Sequence, residues 1–416
     1  MKKKILLVAF AVSAMMAAAQ TTLEQCLAAC EESYPLVRQL HLLQQSSDLT
    51  LQNAAKVWWP QVSAQAEVSY QTQVTELGIS VPGVQVPKID HDREGVVVQV
   101  DQTLWDGGRI RSQQNATRRQ LAAQEAEVAV SLYALRSRVI NLYFATLLLD
   151  EQLQLNTLLQ EQLSRDYERV STAEQKGVAT GADVDAVRLQ QLTTEQQRSS
   201  LLVQRETYVQ MLSALCGLSL KADERLTTPA PPLPSVADSR PEYALYSAQA
   251  AQLEAQRDVL KAQWLPRFGA FVQGGYGKPG LNMLSSKFEP YAIGGLRLSW
   301  SLSPLYTRKN DLRKLEVSEQ MIAVSRSAFE RNQSVELAQQ TGEAKRFALL
   351  AQQDEEIIRL RQNIAESARV ALEQGTLDGT QYINRLTDEY LARQQQAVHR
   401  MQYLNSLFQL NHTKGL

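Results

Sequence analysis

The sequence predicts a mainly α protein with a membrane β-barrel, each chain giving four β-strands and two long helical hairpins. Three observations lead there. The 416-residue chain repeats its own landmarks, its helical stretches outrun globular norms, and four short segments switch to a period of two.

The repeat comes first. Tyr34-Pro35 returns as Arg240-Pro241, Trp58 as Trp264 and Pro60 as Pro266, all 206 positions on. Further along the offset becomes 198, through Val98/Leu296, Val100/Leu298, Leu104/Leu302, Arg111/Lys309, Gly177/Gly375 and Gly181/Gly379. The change places the extra length of the first copy in a loop near residues 72–94. A unit of about 200 residues is too long for a solenoid repeat of roughly 20–50. It reads as one elaborate unit built twice: residues 20–226 and 240–416, joined by a Pro-rich linker over 227–239.

Residues 1–19 read as a signal peptide. Lys2, Lys3 and Lys4 precede the apolar Ile5 to Met16, and Ala17-Ala18-Ala19 offers a small-residue cleavage site before Gln20. That run is too short for a spanning helix of about 20 apolar residues, and no later segment qualifies. Leu23-Glu24-Gln25 before Cys26 argues against a lipid anchor. Cys26 and Cys30 share a helix face and read as two small apolar residues rather than a disulfide, while Cys216 stands alone. The four His are scattered, so no metal site is proposed. A formal net charge of −1 gives no electrostatic reason to expect nucleic acid.

A helix is expected from Thr22 to Trp58, opened by the capping box of Thr22 and Gln25 and ended at Trp58-Trp59-Pro60. Then Val62, Ala64, Ala66, Val68 and Tyr70 alternate with polar residues, which makes a strand. Gly78, Pro82, Gly83 and Pro87 mark a loop. A second strand runs from about Gly95 to Trp105 and stops at Asp106-Gly107-Gly108. Arg109 to Lys176 holds neither Gly nor Pro, a helix of about 100 Å. It breaks at Gly177, and a return helix covers about Asp183 to Cys216. The second copy follows the same plan. A helix spans Pro241–Trp264, strands run from Phe268 to Tyr276 and from Ala292 to Leu302, and a long helix reaches Gln374. After the break at Gly375 a return helix runs to about Leu410. Gly342 weakens the second long helix locally.

All four strands put their apolar residues at even positions and are the length needed to cross a bilayer at a tilt of about 45°. Trp58, Trp59, Trp105, Phe268, Tyr276, Tyr291 and Trp300 lie near strand ends, where interfacial aromatics belong. Lipid offers nothing to an open sheet edge, so four strands must join others in a shared, closed barrel. Eight strands would fill with side chains, whereas twelve begin to leave a lumen. A rod would explain the helices alone and a small β-sandwich the strands alone, but neither explains both in duplicate.

These features resemble the outer-membrane efflux protein family, the TolC-like channel-tunnels, over essentially the whole mature chain. The resemblance rests on Pro35 with Trp58-Trp59-Pro60-Gln61, on Gln102-Thr103-Leu104-Trp105-Asp106-Gly107-Gly108, and on Lys176-Gly177-Val178-Ala179-Thr180-Gly181-Ala182-Asp183-Val184. Arg240-Pro241-Glu242, Trp264-Leu265-Pro266 and Gln374-Gly375-Thr376 repeat the set. The resemblance implies a homotrimer with a twelve-stranded barrel in outer-membrane lipid and an α-helical tunnel in the periplasm. It further implies a passive duct for small molecules or proteins, working with a periplasmic adaptor and, indirectly, an inner-membrane pump of RND or ABC type.

By the same resemblance, the Gly-centred turns are periplasmic tips. Gly177, Val178, Ala179 and Thr180, with Gly375, Thr376 and Leu377, are the candidate adaptor contacts. The aperture set is Asp183, Leu372, Asp378, Gln381 and Asn384. Here the chain departs from the family's pattern. Gln381 and Asn384 stand where two Asp form an acidic ring, Leu377 where an Arg is expected and Leu372 where a Tyr is expected. Asp183 keeps the acidic partner of the first tip, and Asp378 is a candidate substitute. A neutral amide ring would lack the focused field that binds cations. No nucleophile, general base or phosphate loop is assembled, so the chain reads as a non-enzyme without cofactors. Two other readings compete: a periplasmic adaptor, and an exported coiled-coil structural protein.

Overall fold

The computed structural model describes residues 21–74, 90–232, 240–283 and 285–416. The expected signal peptide, the loop residues Gly78, Pro82, Gly83 and Pro87, and the linker's last part lie outside them. The first set of elements is α1 (Leu23–Ser33), α2 (Pro35–Ala55), a 3-10 turn (Lys56–Trp58), β1 (Gln61–Tyr70), β2 (Asp92–Trp105), α3 (Arg109–Gln175) and α4 (Gly181–Cys216). The second is α5 (Pro241–Gln263), β3 (Arg267–Lys278), β4 (Glu289–Ser299), α6 (Pro304–Glu373) and α7 (Gly379–Lys414). Among the described residues no helix is long and apolar enough to cross a membrane.

Two expectations shift. The opening helix is broken at Tyr34, which is extended at φ −66° and ψ 139°. The cause is Pro35, whose ring disfavours the α region for the residue before it, the rule already applied at Trp59-Pro60. The fourth strand ends at Ser299 rather than Leu302, because Leu302 and Ser303 turn into α6, accepting from the backbone N–H groups of Leu305 and Tyr306 at 3.0 Å each. Thr22 and Gln25 form the expected capping box. Gly342 leaves α6 continuous; an exposed interior Gly costs only about 1 kcal/mol against Ala.

The chain divides into two compact units. One comprises Gln39–Glu127 and Glu242–Ala328 and contains the sheet. Its strands are antiparallel in the order β1-β2-β3-β4. The registers Val62↔Val100, Val100↔Val272 and Val272↔Gly294 pair even positions with even positions across all four strands. Since the side-chain period is two, one face of the sheet therefore collects every even residue. A bulge between Thr103 and Trp105 sets Trp105 opposite Phe268 and so brings it onto that face.

The other unit comprises Met1–Arg38, Val128–Pro241 and Phe329–Leu416. Here α3 and α4 run antiparallel, tied by Asn156 Nδ2 donating to Thr194 O (3.0 Å) and Gln191 Nε2 to Leu163 O (3.2 Å). α6 and α7 are tied by His399 Nδ1 to Asp354 (2.7 Å) and Arg361 to Asp388 (2.5 Å). α7 also lies along α3. The Tyr133 hydroxyl donates to His412 O (2.6 Å), Ser137 to Gln409 (2.8 Å), and Arg400 pairs with Glu151 (3.4 Å). A core at the α1 end joins Leu23, Val139, Tyr143, Phe144, Leu147 and Leu212, with Cys26, Cys30 and Cys216 among them. Cys216 is thus not solitary: chain folding sets it beside both α1 thiols, and all three are unbonded. Arg205, 7% exposed, holds Asp150 and the carbonyls of Ala222 and Glu224, so its buried charge is paired.

Candidate functional site

Two surfaces collect the residues singled out above, one in each unit. The first is the even face of the sheet. Val62, Ala64, Ala66 and Val68 of β1 continue into Val96, Val98 and Val100 of β2. Phe268, Ala270, Val272 and Tyr276 of β3 and Ala292, Leu296 and Leu298 of β4 complete it. Val68 is 81% exposed and Leu296 and Leu298 67% each. An apolar surface this continuous marks an interaction site. The odd face is polar: Arg297 pairs with Asp101 (3.6 Å) and stacks on Phe271 (4.4 Å), and Gln99 donates to Asp101 (2.7 Å).

The aromatics separate into two groups along the strands. Trp58 and Trp59 precede β1, Trp105 ends β2, Phe268 begins β3 and Trp300 follows β4. Trp300 Nε1 donates to Trp264 O at 3.0 Å. At the other end are Tyr70 and Tyr276, the latter stacked on Phe288 with 5.6 Å between centroids. From Phe268 to Tyr276 the strand covers about 26 Å at 3.3 Å per residue. Tyr291 pairs with Gly275 and so belongs to the odd face, its ring filling the space a side chain at Gly275 would need.

The second surface lies at the turns α3–α4 and α6–α7. Gly177 at φ 71° and Gly375 at φ 70° end their helices in the left-handed conformation that glycine alone adopts freely. Val178 N–H then reaches back to Ala173 O, and Thr376 N–H to Ala371 O, each at 2.9 Å. Thr180 caps α4 by accepting from Asp183 N (3.3 Å), while Asp183 Oδ2 accepts from Thr180 N (2.8 Å) and its hydroxyl (2.7 Å). Asp378 caps α7 by accepting from Gln381 N (2.8 Å) and from the Gln381 amide (2.5 Å).

One carboxylate joins the two turns. Asp183 Oδ1 accepts the backbone N–H of Gly379 at 2.6 Å. Its expected acidic role thus meets the N-terminus of α7 rather than a basic side chain. The approach needs Gly379, because a Cβ there would lie 2.9 Å from Asp183 Cα. The Thr180 hydroxyl, above all, holds the Asp183 carboxyl below its ordinary range, with the Thr180 and Gly379 N–H groups adding to it.

Of the other singled-out residues, Gly177, Val178, Thr180, Gly375 and Thr376 are exposed, as are Asp378, Gln381 and Asn384. Ala179, Leu372 and Leu377 instead face a hydrophobic cluster with Leu163, Val170, Val187 and Tyr382. Leu372 and Leu377 therefore pack the base of the turns.

Sequence reading missed a polar network behind that cluster. Tyr382 donates its hydroxyl to Asp166 Oδ2 at 2.5 Å; Asp166 is 2% exposed and is also held by Gln162 (3.1 Å) and Arg169 (3.6 Å). Arg169 continues to Glu373 (3.8 Å), and Arg369 holds Glu373 (2.6 Å) and Glu366 (2.5 Å). Burial, and then Asp166, push the Tyr382 hydroxyl well above its ordinary range, so it remains a donor. The i,i+3 spacings Asp166/Arg169 and Glu366/Arg369 were visible in the sequence. The Tyr382 contact, 216 positions away, was not. A groove of about 680 Å³ opens beside it between α3, α6 and α7, its walls including Arg165, Arg169, Arg369 and Arg393.

A family model described as outer membrane efflux protein matches residues 15–218. No curated protein matches the chain. Among solved structures, the outer-membrane channel OprN is 16% identical with a TM-score of 0.70, covering 94% of this chain and 89% of its own. The outer membrane protein VceC of Vibrio cholerae is 14% identical at TM-score 0.69, covering 94% and 96%. CusC is 14% identical at 0.71, covering 95% and 92%. At such identities the likeness establishes the fold, and it does so over nearly the whole chain.

Proposed function

We propose that this chain, which an outer membrane efflux protein family model matches over residues 15–218, is one of three identical walls of a passive export duct. Three copies close a barrel of twelve strands in the outer membrane, and the helical hairpins line a tunnel on the periplasmic side. The observation that carries the reading is the even face of the sheet: apolar across all four strands and flanked by aromatic residues at both strand ends. Such a face is stable in lipid, but the outer edges of β1 and β4 are not, because lipid cannot satisfy their backbone groups. Pairing β4 of one copy with β1 of the next removes every edge and leaves the polar odd face toward the lumen.

In this reading the turns at Gly177 and Gly375 receive a periplasmic adaptor through Val178, Thr180 and Thr376, and an inner-membrane pump supplies the energy. Small molecules or proteins are the cargo. Asp183 on Gly379 N and Tyr382 on Asp166 hold the hairpins together at the aperture, in place of a salt-bridge network. The chain catalyses no reaction of its own. Native mass of protein extracted from the outer-membrane fraction, followed by single-channel recording in planar bilayers, tests the proposal. A trimer with a stable conductance is expected; a soluble monomer without conductance overturns it.

A further inference from the structure

Three thiols meet where the first hairpin ends. Cys26 and Cys30 sit four residues apart on α1, and Cys216 is the last residue of α4; none is more than 2% exposed. Cys216 packs in one buried core with both α1 thiols. The backbone holds them together from two sides. Ser33 Oγ donates to Cys216 O at 2.7 Å on one side. On the other, Thr21 N–H donates to Arg225 O and Thr227 N–H to Thr21 O, each at 3.2 Å. The Tyr143 hydroxyl lies 2.9 Å from Thr21 O and 2.7 Å from Thr227 O, fastening the same strand-like pair.

This inference rests on the function proposed above, which places the chain in an exported, oxidising compartment where disulfides form and persist. The two α1 thiols are poor partners for each other. Residues at i and i+4 of a helix hold their Cβ atoms about 5–6 Å apart, whereas a disulfide wants about 3.5–4.5 Å. The bond must therefore cross from α1 to α4. We propose that Cys26 and Cys216 form a disulfide that clasps α1 to the end of α4, with Cys30 left as a thiol. Each thiol loses its proton, the two sulfurs join, and two electrons pass to a protein thiol oxidase of the exported compartment, whose own disulfide becomes a dithiol. Cys26 is chosen over Cys30 because the Cys216 hydrogen bond lowers the Cys26 thiol below its ordinary range, while burial pushes Cys30 up to about 11. The thiolate is the attacking species in exchange. The bond would join residues 190 positions apart, closing most of the first repeat into a covalent ring.

Full-length protein from the outer-membrane fraction is denatured without reductant, alkylated with N-ethylmaleimide and weighed. One adduct is expected, rising to three after reduction, together with a tryptic cross-link between residues 20–38 and 206–221. Cys30→Ser should retain that cross-link and Cys26→Ser abolish it. Three adducts without reductant overturn the disulfide, and a cross-link that survives Cys26→Ser but not Cys30→Ser overturns the pairing. The unsubstituted chain alone answers the first question, so a variant that fails to fold does not leave it open.

Discussion

Tyr382 on α7 donates its hydroxyl to the buried carboxylate of Asp166 on α3 at 2.5 Å, fastening the two hairpins just behind their turns. Tyr382→Phe removes the donor and leaves a 2% exposed carboxylate to Gln162 and Arg169. A buried polar group that loses a partner costs about 1–3 kcal/mol. The variant should melt several degrees lower by calorimetry and show a larger or noisier single-channel conductance. Unchanged melting and conductance would remove this contact from the closure.

Asp183 gives the tie between the two turns an acid limit. Its carboxyl is held below the ordinary value, so its contribution is fully present above about pH 4 and is lost as pH falls through the lowered value. Conductance measured from pH 7 downward should stay flat and then rise only in the acid range. Asp183→Asn should weaken the tie at neutral pH by about 1 kcal/mol, the scale of an N-terminal cap, and flatten the acid response.

Gly379→Ala should separate the turns that Asp183 joins. The added Cβ meets Asp183 Cα and Oδ1 at 2.9 Å, contacts that need a backbone shift. Overpacking of that kind costs about 1–3 kcal/mol. Gly181→Ala is the control: a Cβ there meets nothing within 4 Å, and its φ is not positive. Thermal unfolding of the two variants should therefore diverge.

Gln381→Asp should make conductance newly sensitive to divalent cations, since three copies would set a ring of carboxylates where amides now stand. The new carboxylate would lie beside Asp378, whose oxygens the Gln381 amide now occupies. Titration with a divalent cation across the bilayer reads the effect directly. An unchanged current would remove Gln381 from the aperture.

The sheet offers a face-specific test. Val272→Arg puts a charge mid-strand on the apolar face, opposite Val100 and Gly294. In a lipid-facing position this costs about 2–4 kcal/mol near the bilayer midplane. Heat-resistant trimer in the outer-membrane fraction should fall sharply. Gln65→Arg, on the odd face of β1, should leave assembly intact.

Local sterics account for what was legible in the chain. Pro60, Gly107, Gly177 and Gly375 ended elements where expected, because a ring clash or a positive φ acts on adjacent residues only. Alternation in β1 to β4 was legible for the same reason, since successive strand side chains must oppose each other. Tyr34, extended before Pro35, obeys the same local rule. Asp183 and the Gly turns could be named from the resemblance, but the partner of Asp183, a backbone N–H of Gly379, carried no sequence signal at all.

Periodicity and punctuation thus specified the helices, the strands and the polarity of each strand face. Which faces came together was decided by register and packing. Even positions align across β1 to β4 because hydrogen-bonded pairing couples strands far apart in sequence, as Val100 and Val272 are. Cys216 reaches Cys26, and Tyr382 reaches Asp166, because long helices bring residues 190 and 216 positions apart to the same level of a bundle. A sequence shows each partner's chemistry, but their distance exists only once the chain has folded back on itself.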